Sequence, residues 1–459
     1  MTSSRRWPSF LVLVLALLLV AAACGGDGGE STTTADGGGS ATTEAPSGTE
    51  APAGTTEASS TTEAAPAEPV DFSYPSWMWA EGAVGDWHQR RLAEFEAAFP
   101  HVTVDTTQIG SSEYEGQVTI QLAAGQVPDL LPAFTNMLPP LIAQDQLAPL
   151  DQCFEGTDVM DRILPSISVG QVDGVTYGVP LTMSPRGLLV NTKVLEEAGV
   201  AGIPETPEEF LEASRAVVAN TDAFGYAFST TVDKTLRAYI ESMYWVLGYG
   251  ADWSAPDGTI TANAPSNIEA LEMQQIFVDE GLTPVGLDRT DIRSLFVEGK
   301  AAFLIDGANV LGQVKGENPD LYPFVDYAAP PTPTHAAVTG GAFWAIPKES
   351  PNYDLACEYL KVNLAPDAQV EWLVDLTQIP ATTVEPPADF LAENPWVETM
   401  VEVAALYPAG LGYAPPGYAV EAGDFRQIVV DRLATIFSGD ATVADALNAL
   451  QADLEAQYG

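Results

Sequence analysis

The sequence predicts an α/β fold, sheets flanked by helices with a ligand held at strand ends, on the strength of three stretches. Phe72 to Trp79 is aromatic-rich and strand-like, and Ala80 to Gly85 reads as a loop. Asp86 can cap a helix that carries Leu92, Phe95 and Phe99 on one face, Pro100 stops it, and Val102 and Val104 then alternate with polar residues. Such a strand, loop, helix, strand unit is the signature of a mostly parallel sheet covered by helices. Second, the apolar run Ala301 to Ile305 stops at Asp306-Gly307-Ala308-Asn309. A buried strand looks like this where its carboxyl end opens into a loop, and such ends are where open α/β sheets bind ligands. Third, Thr206-Pro207-Glu208-Glu209 is a helix start, with Thr206 as cap, Pro207 at the first helical position and Glu209 reaching back.

The remaining elements follow in chain order. Gln117 to Ala124 reads as a helix, Gly125 to Asp129 as a turn, and Leu130 to Phe134 as a strand delivering Thr135 and Asn136 into a loop. Gly174 to Pro180 is an extended segment punctuated by Gly and Pro, and Leu188 to Val190 is a strand ending at Asn191. Leu195 to Ala198 is helical and closes at Gly199. Phe210, Ala213 and Val217 turn the Thr206 helix toward a core; later helices are Ile268 to Glu280, stopped by Gly281, and Val443 to about Ala456.

With 459 residues and 46% hydrophobic content the chain is long enough for two or three domains with a large core. Its 18 Lys and Arg stand against 63 Asp and Glu, a net charge of -45, which repels phosphate backbones and excludes nucleic acid as a partner. Arg5 and Arg6, the apolar run Phe10 to Val20 and Ala21-Ala22-Ala23 before Cys24 resemble a bacterial lipoprotein signal over residues 1–23, with Cys24 as the lipid attachment site. Ordinary secretory cleavage near Ala23 is the alternative. Residues 24–70 lack aromatic and basic residues and cannot bury enough apolar surface to offset chain entropy, so a disordered linker is expected there. Its span as a flexible coil is roughly 40 Å. Cys153 and Cys357 fit either a disulfide or two buried thiols.

Six phrases carry a family resemblance. They are Glu94 to Val104, Gln121 to Leu130, Asp173 to Pro180, Leu189-Val190-Asn191 through Glu197-Ala198-Gly199, Gly299 to Gly307, and Gly340-Gly341 through Lys348. In this order, behind a lipoprotein-like signal, they resemble the extracellular solute-binding proteins of ABC importers, of the carbohydrate-type group related to maltodextrin-binding protein. The resemblance implies a two-lobe periplasmic-binding-protein-like fold of type II, each lobe a mixed, mostly parallel sheet flanked by helices, with the ligand cleft between the lobes. It puts lobe 1 at 71–183 plus 330–377 and lobe 2 at 184–329 plus 384–459, with crossings near 181–187, 327–333 and 378–383. It implies a monomer, lipid-anchored to the cell membrane and facing the extracytoplasmic side, that hands a sugar or oligosaccharide to permease transmembrane subunits. Neither cofactor nor metal is implied.

Sugar recognition needs aromatic faces for ring stacking and carboxylates or amides for hydroxyls. Trp79 and Glu81 follow the first strand, with Trp77 a core residue or a second contact, and Asn136, beside Thr135, follows the Pro-Asp strand. Asp306 and Asn309 flank Gly307, where backbone can approach a ligand, and the alternative for Asp306 is a turn or capping role. Gly341, beside Gly340, exposes backbone amides, and Trp344 is a ligand contact or core. Tyr177, Arg186, Trp245 and Trp253, with Tyr244, are expected on the second lobe's wall, and Tyr413, with Tyr418, on a further one. Maltodextrin-type relatives put a stacking tryptophan two residues after the glycine, where this chain has Asn309, which shifts the expected stacking to Trp79, Trp245 or Trp253.

Catalysis is not expected. The three histidines, His88, His101 and His335, have no metal-ligand spacing, and no nucleophile, zinc or phosphate-loop motif is present. The alternatives are a non-sugar solute (polyamine, peptide or osmolyte) in the same fold, and a secreted glycoside hydrolase built on a carboxylate pair.

Overall fold

The computed structural model describes residues 68–110, 113–407 and 410–459. The signal segment, Cys24 and all but the end of the linker lie outside the described residues. Eleven strands are described: β1 Val70–Ser73, β2 Val102–Asp105, β3 Leu131–Phe134, β4 Gln171–Val172, β5 Val175–Thr176, β6 Val179–Pro185, β7 Gly187–Asn191, β8 Phe224–Ala227, β9 Ala301–Asp306, β10 Val325–Ala328 and β11 Thr339–Ala345.

Two sheets frame the molecule, one of order β3-β11-β6 and one of order β10-β7-β9-β8, with β1-β2 and β4-β5 as separate pairs. The sheets are mixed, but mostly antiparallel where a mostly parallel arrangement was expected. Only β1 with β2 and β8 with β9 run parallel among the named strand pairs. Those pairs are joined through helices, the crossover that parallel pairing requires. By contrast β7 follows β6 directly, and β11 returns to the three-stranded sheet over residues 329–338; neither arrives through a helical crossover, and both pair antiparallel with their neighbours.

The four-stranded sheet is buried on both faces. Leu189 faces one apolar core and its neighbours Leu188 and Val190 face another, as the alternation of a strand requires. The first core holds Phe72, Tyr74, Trp87, Phe343 and Trp344, and the second Phe210, Tyr226, Trp245, Phe277 and Leu447. Helices Ala388–Glu393 and Trp396–Leu406 send Phe390, Trp396, Val397 and Met400 into the first core, and the chain joins the second core from Tyr413 onward.

Local signals are met with two exceptions. The Thr206 capping box is formed, with Glu209 N donating to Thr206 Oγ1 at 3.2 Å, and Gly199 closes helix Thr192–Ala198 in the left-handed region at φ 75. The strand expected over Phe72 to Trp79 ends at Ser73, because Pro75 cannot donate to a ladder. Met78–Ala80 is instead a 3-10 turn running into helix Gly82–Ala98, so Asp86 lies inside the helix it was expected to cap. Gly85 permits this early turn: a Cβ there would stand 2.7 Å from the carbonyl oxygen of Trp79.

Cys153 and Cys357 form a disulfide across 204 residues, tying the turn Asp151–Phe154 to helix Tyr353–Asn363. Among the described residues no helix is long and apolar enough to cross a membrane.

Candidate functional site

β6 ends at Pro185 and β7 begins at Gly187, so the chain leaves one sheet and enters the other at Arg186. This residue is pinned. Its backbone N–H donates to the Val338 carbonyl at 2.9 Å, on the segment by which the chain returns. Gly187 pairs with Asp306 in the β7–β9 ladder, and the Tyr327 ring fills the space a Cβ would need there. The end of β9 is thereby set beside the crossing.

Asp306 is fully buried at that strand end. It receives Arg186 Nη1 at 2.6 Å, Arg293 Nε at 2.7 Å and its neighbouring Gly307 N–H at 2.7 Å, while Arg289 Nη2 stands 2.6 Å from Oδ1. Helix Arg289–Val297, capped by Asp288, presents Arg289 and Arg293 one turn apart. Helix Thr235–Gly248 contributes a second face: Arg237, Glu241 and Tyr244 recur at helical spacing, and Arg289 Nη1 donates to Glu241 Oε1 at 2.9 Å and to the Tyr244 hydroxyl at 3.1 Å.

Burial alone would raise the Asp306 carboxyl, but the charges of Arg289, Arg293 and Arg186 hold it well below the usual carboxylate range. At Glu241 burial wins, pushing it up to about 7 against Arg289. The Tyr413 phenol, raised by burial, is nevertheless held below its ordinary value because Arg186 and Arg237 favour its anion. Arg237 is exposed, and among the described residues its guanidinium has neither an ion pair nor a hydrogen bond.

Tyr413 reaches across to the other sheet, where its hydroxyl occupies the place a Cβ would take on Gly340 of β11. Beside it, Thr135 Oγ1 donates to the Gly341 carbonyl at 2.8 Å, and Asn136, half-buried, donates to Glu115 Oε2 at 3.0 Å. Asn309, half-buried at the start of helix Asn309–Glu317, lines a recess with Ser184, Gln378 and Ile379. Arg186, Asp306, Asn309, Gly341 and Tyr413 therefore share one region, with Asn136 at its edge.

Other expected contacts fall elsewhere. Trp245, 1% exposed, packs among Phe210, Tyr226 and Phe277, and Trp253 is fully enclosed in the same core. Trp344 is fully buried and donates from Nε1 to the Tyr74 hydroxyl at 2.8 Å. All three are corrected to core residues: no face is left for a ring to stack on. Trp79 is likewise corrected to a residue of the first core, its Nε1 donating to the Tyr74 carbonyl at 3.0 Å, and Trp77, buried in the same core, stacks on Phe134 at 4.1 Å. Glu81 is exposed at the start of its helix, with its carboxyl raised by the surrounding protein. Tyr177 is half-buried against the first core. The carboxylate of Asp306 is taken up by three arginines, an ion-pairing role that is neither the expected sugar-hydroxyl contact nor the turn or capping alternative.

Sequence reasoning missed Arg237, Arg289, Arg293 and Glu241. A signal was present: in a chain with only 18 basic residues, Arg289 and Arg293 sit four apart on the helix leading into the strand that ends at Asp306.

Residues 80–370 match the family model described as bacterial extracellular solute-binding protein. A Brucella abortus (strain 2308) protein described as a binding protein is 26% identical over 381 residues, covering 79% of this chain and 88% of its own. The diacetylchitobiose binding protein DasA of Streptomyces coelicolor is 23% identical over 313 residues, 63% of this chain and 68% of its own. Among solved structures, the GacH receptor of Streptomyces glaucescens, studied unliganded and with acarbose, is similar at a TM-score of 0.72 and 18% identity, over 84% of this chain and 97% of its own. Maltose-bound MalE3 of T. maritima is also similar, at 0.72 and 17% identity, over 85% and 99%.

Proposed function

This chain belongs to the bacterial extracellular solute-binding protein family, and from that membership we propose that it captures a carbohydrate between its two sheets and delivers it to the membrane subunits of an ABC importer. The observation that carries this reading is the meeting of Arg186, Asp306, Asn309, Gly340, Gly341 and Tyr413 where the chain passes from one sheet to the other. A ligand bound at such a crossing touches both sides, and favours whichever arrangement brings them together. The names of DasA and of a galactooligosaccharide-binding protein of Bacillus subtilis, 28% identical over 151 residues, support a saccharide as the solute.

In this reading residues 71–183 with 330–377, and 184–329 with 384–459, act as two lobes of a monomer. Cys24 anchors it by lipid on the extracytoplasmic side of the membrane, and the ligand contacts are drawn from Asn136, Arg186, Asn309, Gly341 and Tyr413. The protein acts without catalysis: the buried carboxylates of the site, Asp306 and Glu241, are committed to arginines and are not placed as a free acid and base.

Thermal unfolding against a panel of mono- and oligosaccharides, amino acids and polyamines tests it. A ligand at a hundred times Kd adds about 2.7 kcal/mol. Stabilisation by saccharides is expected; stabilisation by polyamines alone would sink the reading. Loss of membrane retention in Cys24→Ala checks the anchor.

A further inference from the structure

The charge of the site runs against that of the chain. Acidic residues outnumber basic ones 63 to 18, yet four arginines, Arg186, Arg237, Arg289 and Arg293, gather at the crossing, where three of them pair with two carboxylates, Asp306 and Glu241. Three of the arginines converge on one carboxylate. Arg186 is 7% and Arg289 9% exposed, and the Nε of each finds no hydrogen-bond acceptor among the described residues. The two buried guanidinium groups are matched by the two buried carboxylates, so the surplus positive charge lies on half-buried Arg293 and exposed Arg237, where an anion from solvent can reach it.

The fourth arginine marks where that anion would sit. Arg237 lies one turn before Glu241 and two before Tyr244 on the same face of helix Thr235–Gly248, so it continues the charged face outward from the buried cluster to solvent. The residue is exposed, and among the described residues its guanidinium has no ion pair and no hydrogen bond. Guanidinium groups match carboxylate and phosphate oxygens two at a time.

We propose that the solute of this site is an anionic saccharide, a sugar carrying a carboxylate, sulfate or phosphate group that docks on Arg237 in front of Arg186 and Tyr413. The inference rests on the carbohydrate reading above and narrows it. It also disfavours a cationic solute, which would meet four guanidinium groups.

Calorimetric titration of the full chain tests it with matched ligands: uronate di- and trisaccharides, their neutral aldose counterparts, hexose phosphates, sulfated sugars, and inorganic sulfate and phosphate alone. Anionic saccharides should bind, more weakly as salt rises, and the best of the uronate, sulfate and phosphate arms identifies the group. Arg237→Gln should weaken that binding about tenfold to a hundredfold, the range of a charge-assisted hydrogen bond, and Arg237→Lys should keep more of it. Unchanged melting temperatures in both variants show that folding is intact, as the exposure of Arg237 predicts. Binding of neutral sugars in preference to anionic ones overturns the inference and leaves the carbohydrate reading standing. An inorganic anion binding as tightly as any saccharide, or polyamines as the sole ligands, overturns both.

Discussion

Replacing Asp306 by Asn removes the negative charge on which Arg186, Arg289 and Arg293 converge and leaves the three guanidinium groups facing one another. With the nitrogens 2.6 to 2.7 Å from the carboxylate oxygens, the charge centres lie roughly 4 Å apart. Each pair is then worth about 4 kcal/mol gross at the effective dielectric that suits protein sites. Desolvation consumes much of that sum, but the Asn variant recovers none of the desolvation cost of the arginines. The expected loss is about 3 to 5 kcal/mol, the range for breaking a buried pair from one side, and a fall in Tm on the order of 5 °C. Urea and thermal unfolding at pH 7 read it directly. The pH dependence supplies a second check. The folded Asp306 carboxyl lies far below its unfolded value, so its own contribution is fully present above about pH 4 and is lost as pH falls through the folded value, and the part of the gap due to Asp306 should narrow only below about pH 4; compared in a Glu241→Gln background, which removes the coupled Glu241 titration, the gap should be constant from about pH 5 to 8. Arg293→Gln, which removes a half-buried partner and relieves part of the positive excess, should cost less. A variant at Asp306 within 1 kcal/mol of wild type, or less damaging than Arg293→Gln, would refute the reasoning.

Three further outcomes are expected. Removing the disulfide as the pair Cys153→Ala and Cys357→Ala should lower stability by about 5 kcal/mol in the chain-entropy account for a loop of 204 residues, read from urea midpoints of the variant and the oxidised wild type. Glu241, pushed up to about 7 by burial, stays protonated in the folded chain where the unfolded one is ionised, so it lowers stability as pH rises from about 4.5 to 7. The cost reaches about 3 kcal/mol. Glu241→Gln should flatten that slope, with Asp252, also raised to about 7 by burial, supplying the remainder. Gly187→Ala should cost about 1 to 3 kcal/mol by overpacking, because its Cβ would enter the buried Tyr327 ring; a melting temperature equal to wild type would show that the ring moves aside freely.

The elements were legible in the sequence where a local signal has one physical solution. Thr206-Pro207-Glu208-Glu209 can only start a helix, and Gly199 can only end one. The Asp-Gly stop after Ile305 likewise marked the end of β9. Strand direction was not legible, since nothing in Leu188 to Val190 says whether β7 arrives through a helix or straight from β6. Pairing of Cys153 with Cys357 was not legible either: a separation of 204 residues says nothing of a Cα distance of 5.0 Å. The tryptophans misled for a different reason. Stacking on a sugar and packing in a core both select large aromatic side chains, and the sequence around Trp245 does not show that Phe210, Tyr226 and Phe277 will enclose it.

Charge was the least legible property of the site and decides the most about it. A composition of -45 read residue by residue suggests a surface hostile to anions, but the field at a site is set mainly by the few charges nearest to it. Four arginines in one place can therefore reverse the sign locally while the rest of the surface remains acidic. Their roles are unequal. Arg186 is both the residue at which the chain changes sheets and a partner of Asp306, so any substitution there disturbs the crossing and the charge balance together. Arg289 and Arg293 are tied to the same carboxylate, and their loss likewise mixes stability with binding. Of the four, Arg237 alone offers charge without a structural partner among the described residues, so the proposed anion contact can be tested there apart from stability, and structural cost at Asp306.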